Sequence, residues 1–319
     1  MPLCTRRNFL ATASCSALLA STGYASPLPQ PDVADAPLTL KLWPNVPPGG
    51  GGPADQALYV TSHGSISHIS TPVLQVYRPE KPNGSAILLA AGGGYRQIVM
   101  RHEAVPATAW LTALGITVFV LTYRLPDEGW HAGRLAPFQD AQRAIRLIKS
   151  NAYQYSINPD QLGVLGFSAG GHLMGMCATR PAWQTYTPID EVDHLPLTVR
   201  YAMLAYPVVT LCPPYDTTQT RRSMVGAHPT EAEAEAWSVQ TYVTDKSPPF
   251  FLVHAADDRI AKAPQTEILQ QACVQHHVPV TRYLLETGGH GFSLNEPYKG
   301  TAWSLLAEKW LHKQHLVPV

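Results

Sequence analysis

Residues Leu162–His172 read LGVLGFSAGGH and decide the fold of this 319-residue chain. The apolar run Leu162–Leu165 is typical of a buried strand, and the apolar stretch Leu173–Ala178 just after it is typical of a helix. Between them lies Gly-x-Ser-x-Gly, with Ser168 at its centre. A strand that turns into a helix through this motif is a nucleophile elbow, in which the serine hydroxyl projects from a strained turn. The flanking glycines avoid collisions across the turn, and the helix N-terminus favours negative charge beside the serine.

On both sides of the elbow, predicted strands alternate with predicted helices. The other predicted strands are 38–43, 72–77, 85–90, 116–123, 199–206, 250–254 and 280–285, and the predicted helices are 106–114, 137–152, 231–239 and 301–312. This alternation, with nearly continuous apolar strands, predicts an α/β fold: a mostly parallel, doubly wound sheet with helices on both faces. The pattern loosens over 207–249, which predicts a small lid-like insertion above the strand ends.

Two later strands supply candidate partners for Ser168. The strand 250–254 leads to Asp257 and Asp258, and the strand 280–285 leads to His290. The chain order Ser, Asp, His is that of α/β-hydrolases, and side chains just past the carboxyl ends of parallel strands meet at one edge of the sheet. We therefore expect His290 to accept the proton of Ser168 and one of the two aspartates to orient the imidazole.

A run of three glycines, residues 92–94, follows the predicted central strand 85–90. Glycines at this point let backbone N–H groups approach a reacting carbonyl closely. We expect the N–H groups of Gly93, Gly94 and Ala169 to form an oxyanion hole.

The composition excludes several functions. Lys plus Arg and Asp plus Glu each number 23, so the chain lacks the basic excess of a nucleic-acid-binding protein. The sequence contains no His-Glu-x-x-His, no Cys-x-x-Cys pair and no phosphate-binding Gly-x-x-x-x-Gly-Lys. We therefore expect neither a metal nor another cofactor.

The first 25 residues resemble an export signal. Thr5–Leu10 reads TRRNFL, which matches the twin-arginine signal, and Gly23-Tyr24-Ala25 offers a cleavage site after Ala25. A general secretory leader is the alternative. The apolar run 11–20 is too short to span a bilayer, so we expect no stable membrane anchor. These features predict a periplasmic or secreted protein whose hydrolase domain spans 26–319.

Three cysteines remain after the predicted cleavage, namely Cys177, Cys212 and Cys273. An odd number without close spacing does not indicate a disulfide framework, although one disulfide stays possible on this evidence.

Seven motifs together resemble one family, the secreted α/β-hydrolase esterases that include acetylxylan and acetyl esterases, some of which carry the name endo-1,4-beta-xylanase B. The motifs are Leu42-Trp43-Pro44, Gly92-Gly93-Gly94-Tyr95, Leu121–Pro126, Asp140–Arg146, Gly166–His172, Tyr206-Pro207-Val208 and Gly289-His290-Gly291-Phe292. The resemblance implies hydrolysis of acyl, above all acetyl, esters of plant polysaccharide such as xylan.

The resemblance also implies roles for individual residues. In the family-like turn the acid follows a histidine by four positions, as Asp258 follows His254, which implies Asp258 rather than Asp257. Tyr95, directly after the glycines, is expected to contact substrate. Two departures border the site: Ala91 stands where the family has proline, and Ala261-Lys262 replaces Val-Pro.

Other readings of the sequence stay open. A feruloyl or other carboxylesterase is the first alternative, a serine peptidase is a weaker one, and a non-catalytic binding protein on the hydrolase fold is the remaining class. The expected partner is a small-molecule or polysaccharide ester, and the sequence does not fix the oligomeric state. Tyr215, Trp237 and Tyr242 lie in the predicted insertion, where they either face sugar rings or pack against the core.

Overall fold

The structure is a computed structural model that describes residues 37–54, 57–294 and 303–318. The predicted export signal and the linker after it lie outside the described residues. The strands are β1 Leu38–Lys41, β2 Tyr59–Val60, β3 Ile66–Ser67, β4 Val73–Tyr77, β5 Ala86–Ala90, β6 Thr117–Thr122, β7 Leu162–Phe167, β8 Ala202–Ala205, β9 Phe250–Ala255 and β10 Val280–Leu285. The helices are α1 Val105–Ala113, α2 Ala136–Ser150, α3 Ser168–Thr179, α4 Gln219–Val225, α5 Glu231–Ala236, α6 Pro264–Gln275 and α7 Trp303–Lys313.

Eight strands form one sheet in the order β1-β4-β6-β5-β7-β8-β9-β10. From β6 to β10 all neighbours are parallel, whereas β4 is antiparallel to both β1 and β6. The central strands β5, β6 and β7 are buried along their whole length, because helices cover both faces of the sheet. This is the α/β-hydrolase fold that the sequence predicts. It brings the ends of β5, β7, β9 and β10 to one edge.

The helices follow the predicted pattern with two exceptions. In α2, apolar Ala141, Ala144, Ile145 and Ile148 recur at helical spacing and are buried. The exceptions are α4, within the 207–249 segment, and α6, neither of which a predicted helix anticipates. Among the described residues no helix combines the length and the hydrophobicity that a membrane span requires.

A buried ion pair joins three of the sequence motifs. Arg124, just after β6, contacts Asp140 of α2 through its Nε at 3.0 Å, and its backbone N–H also donates to that carboxylate at 2.8 Å. Trp43, just after β1, donates its indole N–H to Asp140 Oδ1 at 2.7 Å. Both charged side chains are fully buried, so every bond in this network compensates for lost hydration. These motifs therefore organise the fold rather than the site.

The cysteines of the described region carry free thiols. Cys177 and Cys273 are buried, and burial raises the pKa of each thiol to about 12. Neither thiol is therefore ionised at neutral pH, and both act as apolar packing.

The 207–249 segment, which follows β8, holds α4, α5 and a short 3₁₀ turn, Val239–Tyr242. Its first residues are fixed by Gln265 of α6, whose amide oxygen accepts the N–H groups of Val209 and Thr210, each at 2.7 Å. The segment is thus anchored to the core where it leaves the sheet.

Candidate active site

Ser168 lies where β7 ends and α3 begins. Its φ is 49°, a left-handed conformation that costs a non-glycine residue about 1–3 kcal/mol. A Cβ on Gly166 would lie 2.3 Å from the carbonyl oxygen of Gly170, and a Cβ on Gly170 would lie 2.1 Å from that of Ala90. The turn itself therefore requires the first glycine. The second is required by the neighbouring strand β5, a contact that the motif alone does not predict.

A chain of hydrogen bonds joins three side chains that the sequence singles out. Ser168 Oγ lies 2.8 Å from Nε2 of His290, and His290 Nδ1 lies 2.7 Å from Oδ2 of Asp258. An ionised carboxylate only accepts hydrogen bonds, so Nδ1 carries the ring proton and Nε2 accepts from the serine hydroxyl. This is the tautomer that a general base needs.

Four donors surround the buried carboxylate of Asp258. Its Oδ1 accepts the N–H groups of Ile260 and Ala261 at 2.8 and 3.0 Å, and its Oδ2 lies 3.1 Å from His254 Nε2 as well as beside His290. Burial opposes ionisation, but the hydrogen bonds of the two histidines outweigh it and hold the pKa of Asp258 below its ordinary value. The carboxylate is therefore charged at neutral pH.

Asp257, the alternative acid, contacts a different group. It is exposed, and its Oδ1 accepts the N–H of Gly289 at 2.7 Å, directly before His290. The structure therefore brings Asp258 to the imidazole, while Asp257 braces the loop that carries it.

The glycine turn after β5 lies beside the serine. Gly93 and Gly94 line the same cleft as Ser168 and His290, and Ala169 stands in the first turn of α3. Within the described parts of the chain, the N–H groups of Gly93, Gly94 and Ala169 form no hydrogen bond to a protein acceptor. Free N–H groups close to the nucleophile are what an oxyanion hole requires.

Tyr95 does not occupy the place expected of it. Its side chain is fully buried and does not border the cleft. The Tyr95 hydroxyl lies 2.8 Å from Nδ1 of His172, whose Nε2 lies 2.7 Å from the carbonyl oxygen of Trp237. Because a carbonyl only accepts, Nε2 carries the ring proton and Nδ1 accepts from Tyr95. Tyr95 therefore ties the glycine turn to α3, and the expectation of substrate contact is wrong for its side chain.

His172 links three segments through these bonds. Burial lowers the pKa of His172 to about 4, so its ring is neutral at neutral pH. The glycine turn, the helix behind the serine and the 207–249 segment are thereby held in one arrangement.

The structure adds one buried acid that the sequence did not reveal. Glu103 belongs to a π-helical turn, Met100–Ala104, and borders the cleft. Its Oε2 accepts the N–H of Gly92 at 2.5 Å, and its Oε1 accepts the hydroxyl of Tyr206 at 3.1 Å. Burial raises the pKa of Glu103 to about 7, although these two bonds and the nearby His290 act in the opposite direction. No motif surrounds this residue, so only the fold identifies it.

The cleft above the serine has a volume of about 330 Å³. Its walls combine the glycine turn, the loop that carries His290 and the start of the 207–249 segment, with Thr218, Gln219 and Thr220. A substrate can therefore reach Ser168 Oγ from one side, opposite the core.

The aromatic residues of the 207–249 segment do not line this cleft. Trp237 is buried, and its ring centroid lies 5.3 Å from that of Phe138. Tyr242 packs against the guanidinium of Arg180, and Tyr215 is half-buried away from the cleft. Of the two expectations for these aromatics, packing against the core is confirmed for Trp237 and Tyr242.

Comparison with known proteins places the chain in a family. The BD-FAE family model matches residues 74–273, which is more than half of the chain. An acetylxylan esterase of Xylanibacter ruminicola is 27% identical over 230 residues, which are 70% of this chain and 44% of that protein. Endo-1,4-beta-xylanase B of Butyrivibrio fibrisolvens is 28% identical over 228 residues, 68% of this chain and 34% of that protein. The chain thus spans less than half the length of these two relatives.

Solved structures show the same architecture. The acetyl ester-xyloside bifunctional hydrolase of Caldicellulosiruptor lactoaceticus superposes with a TM-score of 0.69 at 28% identity, covering 86% of this chain and 99% of that one. The carboxylesterase Cest-2923 of Lactobacillus plantarum superposes with a TM-score of 0.65 at 24% identity, covering 83% and 98%, and supports the fold alone. The matched family model, together with this fold and the arrangement of Ser168, His290 and Asp258, leads to one conclusion: the chain belongs to the BD-FAE family of α/β-hydrolases.

Proposed function

We propose that this chain is a serine carboxylic ester hydrolase that removes short acyl groups, acetyl above all, from carbohydrate. One observation carries the proposal: two hydrogen bonds, of 2.8 and 2.7 Å, connect Ser168 Oγ to the His290 imidazole and the imidazole to the Asp258 carboxylate. Membership of the BD-FAE family supports the reaction class. The relatives named for acetylxylan and for an acetyl ester support the acyl group and the carbohydrate alcohol.

Acylation starts from the tautomer of His290 that the hydrogen bonds imply, with the ring proton on Nδ1. His290 Nε2 takes the proton of Ser168 Oγ as that oxygen attacks the ester carbonyl carbon. The N–H groups of Gly93, Gly94 and Ala169 donate to the oxyanion, and a donor of this kind is worth about 3 kcal/mol. The imidazolium, stabilised by Asp258, then gives its proton to the alcohol oxygen as the carbon–oxygen bond breaks.

Deacylation repeats these steps with water. His290 Nε2 takes a proton from a water molecule, whose oxygen attacks the acyl carbonyl. The tetrahedral intermediate collapses, Ser168 Oγ recovers its proton from the imidazolium, and the short-chain acid leaves.

The shape of the cleft supports a short acyl chain. Its aliphatic side chains are Val99, Val208 and Ile260, and the other walls are glycine or polar. A fatty chain needs a long continuous apolar surface to leave water, because burial is worth about 0.8 kcal/mol per CH₂. Three aliphatic side chains provide enough surface for acetate or propionate.

Space beside the cleft supports a large polar alcohol. A second depression of about 450 Å³ shares Gln97, Val99 and His102 with the cleft. Its other walls include Ser65 and Arg101. Amide, hydroxyl, imidazole and guanidinium groups suit the hydroxyl groups of a sugar, so this depression is the proposed place for the carbohydrate.

The test is a ladder of p-nitrophenyl esters run beside acetylated xylan. We expect acetate to react faster than butyrate and octanoate very slowly, with acetate released from the xylan, and a folded Ser168→Ala variant as the inactive control. Octanoate reacting as fast as acetate would contradict the short acyl pocket. Faster release of ferulate than of acetate would keep the reaction class and replace the acyl group. A folded wild-type protein without activity on any ester would refute the function.

We also propose that the chain is exported through the twin-arginine route and begins near Ser26 after cleavage. The motivation is the match of Arg6-Arg7-Asn8-Phe9-Leu10 to that signal. A variant with Arg6→Lys and Arg7→Lys should stay in the cytoplasm in a fractionation assay. Normal export of this variant would point to the general secretory route instead.

A further inference from the structure

Glu103 lies directly behind the glycine turn of the proposed oxyanion hole. Its Oε2 accepts the N–H of Gly92 at 2.5 Å, and Gly92 itself touches the nucleophile: a Cβ built on it would lie 2.8 Å from Cβ of Ser168. The N–H of Gly92 is thus occupied by Glu103. The next two N–H groups of the turn, those of Gly93 and Gly94, form no hydrogen bond within the described chain, and both residues line the cleft.

The second carboxyl oxygen connects the turn to the catalytic base. Oε1 of Glu103 accepts the Tyr206 hydroxyl at 3.1 Å, and the Tyr206 ring packs edge-on against the His290 ring with 5.2 Å between centroids. One side chain therefore bridges the glycine turn and the ring that supports the imidazole.

The backbone around Glu103 fixes the position of its carboxyl group. Gly92 O accepts the N–H of Val99 at 3.1 Å, and Glu103 N–H donates to Val99 O at 3.2 Å. On the other side, Ser293 Oγ donates to the carbonyl oxygen of His102. The π-helical form of this turn, Met100–Ala104, is rare in proteins and often occurs at functional sites.

A buried carboxyl group is costly to keep for packing alone. Glu103 is buried, and in the described part of the chain no Lys or Arg lies within ion-pair distance of it. An apolar side chain of equal volume would avoid the desolvation penalty but would leave the N–H of Gly92 without an acceptor. The acceptor oxygen is therefore the property of Glu103 that the site uses.

We infer that Glu103 is a positioning residue of the proposed esterase. By accepting the N–H of Gly92, it holds the glycine turn so that the N–H groups of Gly93 and Gly94 face the carbonyl oxygen of the ester, which becomes negatively charged when Ser168 attacks. The inference rests on the proposed function. Glu103 acts through the turn, and takes no part in proton transfer.

Two substitutions of similar volume distinguish the effect of the acceptor oxygen of Glu103 from the effect of its packing. Glu103→Gln keeps an oxygen for Gly92, so kcat on p-nitrophenyl acetate should stay within about threefold of wild type. Glu103→Leu removes it, and kcat should fall about 100-fold with KM within about threefold, because loss of oxyanion stabilisation acts on the transition state. Thr108→Val, a buried change whose hydroxyl has no partner in the described structure, is the matched control and should leave both constants unchanged.

Hydrogen–deuterium exchange of the peptide that spans 86–98 gives a readout independent of activity. Wild type and Glu103→Gln should protect this peptide equally, whereas Glu103→Leu should exchange faster. If Glu103→Leu does not fold, Glu103→Asp replaces it, since a side chain one methylene shorter no longer reaches Gly92, and it should show the same losses.

Three results would overturn the inference while leaving the proposed function intact. They are wild-type kcat in Glu103→Leu or Glu103→Asp, an equal loss in Glu103→Gln and Glu103→Leu, or an equal loss in Thr108→Val. Absence of esterase activity in the wild-type protein, by contrast, would refute the function itself, so the two failures are distinguishable.

Discussion

Replacing Asp258 by asparagine tests the hydrogen-bond chain at its buried end. The amide oxygen of asparagine keeps accepting the N–H groups of Ile260 and Ala261 on the Oδ1 side. The amide nitrogen then takes the place of Oδ2 and faces Nδ1 of His290. Because an amide nitrogen donates, the imidazole must carry its proton on Nε2, where it can no longer accept from Ser168.

The expected loss follows from this change of tautomer. In serine triads the wrong tautomer lowers kcat by about 10⁴, which corresponds to about 5.4 kcal/mol at 1.36 kcal/mol per factor of ten. His254 Nε2 also faces the new amide nitrogen, but it keeps the carbonyl oxygen of Ala261 as an acceptor. We therefore expect a loss of stability near the lower end of the range for an unsatisfied buried group, about 1 kcal/mol.

The assay compares Asp258→Asn with Asp257→Asn. Both are measured as kcat at saturating p-nitrophenyl acetate and neutral pH, together with Tm. Asparagine at 257 still offers an oxygen to the N–H of Gly289, so its kcat should stay within about threefold of wild type. A larger loss at 257 than at 258 would transfer the role of triad acid. An Asp258→Asn enzyme that retains a tenth of wild-type kcat would refute the tautomer argument.

Three further predictions concern activity, pH and stability. Ser168→Ala should lower kcat by several orders of magnitude while Tm stays near the wild-type value, because alanine keeps the backbone and Cβ of the turn and loses only a hydroxyl at the cleft. Turnover near wild type would refute the whole site. The pKa of His172 is about 4 in the folded protein and 6.5 ordinarily, so as pH falls from about 7 to 4.5 the unfolded chain takes up the proton and folding becomes less favourable. The pKa of Glu103 is about 7 in the folded protein and 4.5 ordinarily, so over the same range the folded protein takes up the proton and folding becomes more favourable. Each effect changes the free energy of unfolding by about 3 kcal/mol, so the two offset each other in wild type. In urea unfolding at neutral and acidic pH, acidification should therefore stabilise His172→Gln relative to wild type and destabilise Glu103→Gln relative to wild type. Equal pH slopes in the three proteins would contradict this. Trp43→Phe should lower stability by about 1–3 kcal/mol by removing a donor from buried Asp140, which calorimetry would detect as a lower Tm; an unchanged Tm would show that Arg124 alone satisfies the carboxylate.

The sheet could be predicted because its central strands carry their own signal. The runs 85–90, 116–123 and 162–165 are almost purely apolar, and they become β5, β6 and β7. Helix α6 carried no such signal, because its buried face includes Gln265 and Thr266. Gln265 is buried to bind backbone N–H groups more than 50 residues away, and a polar residue used in this way breaks the apolar periodicity of its helix.

The residues of the candidate site likewise fall into two groups, those that local motifs predict and those that only the fold reveals. Ser168 and His290 stand in local motifs at strand ends, so their proximity follows from the topology of a parallel sheet. Glu103 stands in no motif, and its burial depends on Gly92 and on Tyr206, which is 103 residues further along the chain. The orientation of Tyr95 was predicted wrongly for the same reason: its partner, His172, comes from a distant segment. Sequence patterns report local geometry, whereas these contacts are set by tertiary packing.

The 207–249 segment borders the cleft beside Ser168 and packs into the core at different points along its length. Trp237 is buried, and its carbonyl oxygen accepts from His172, which in turn binds Tyr95 next to the glycine turn. The part of the segment around Trp237 therefore tolerates little change. In the stretch 218–220, Thr218 and Thr220 are buried, and Thr218 Oγ1 caps α4 by accepting the N–H of Arg221 at 3.2 Å. Gln219, which lies between them, is half-buried and lines the cleft. Sequence drift or directed evolution can therefore vary the cleft wall at Gln219 while its two buried neighbours and Trp237 stay constant. In the proposed esterase, a single codon can in this way alter which ester the cleft accepts, while the core that holds Ser168 and His290 is unchanged.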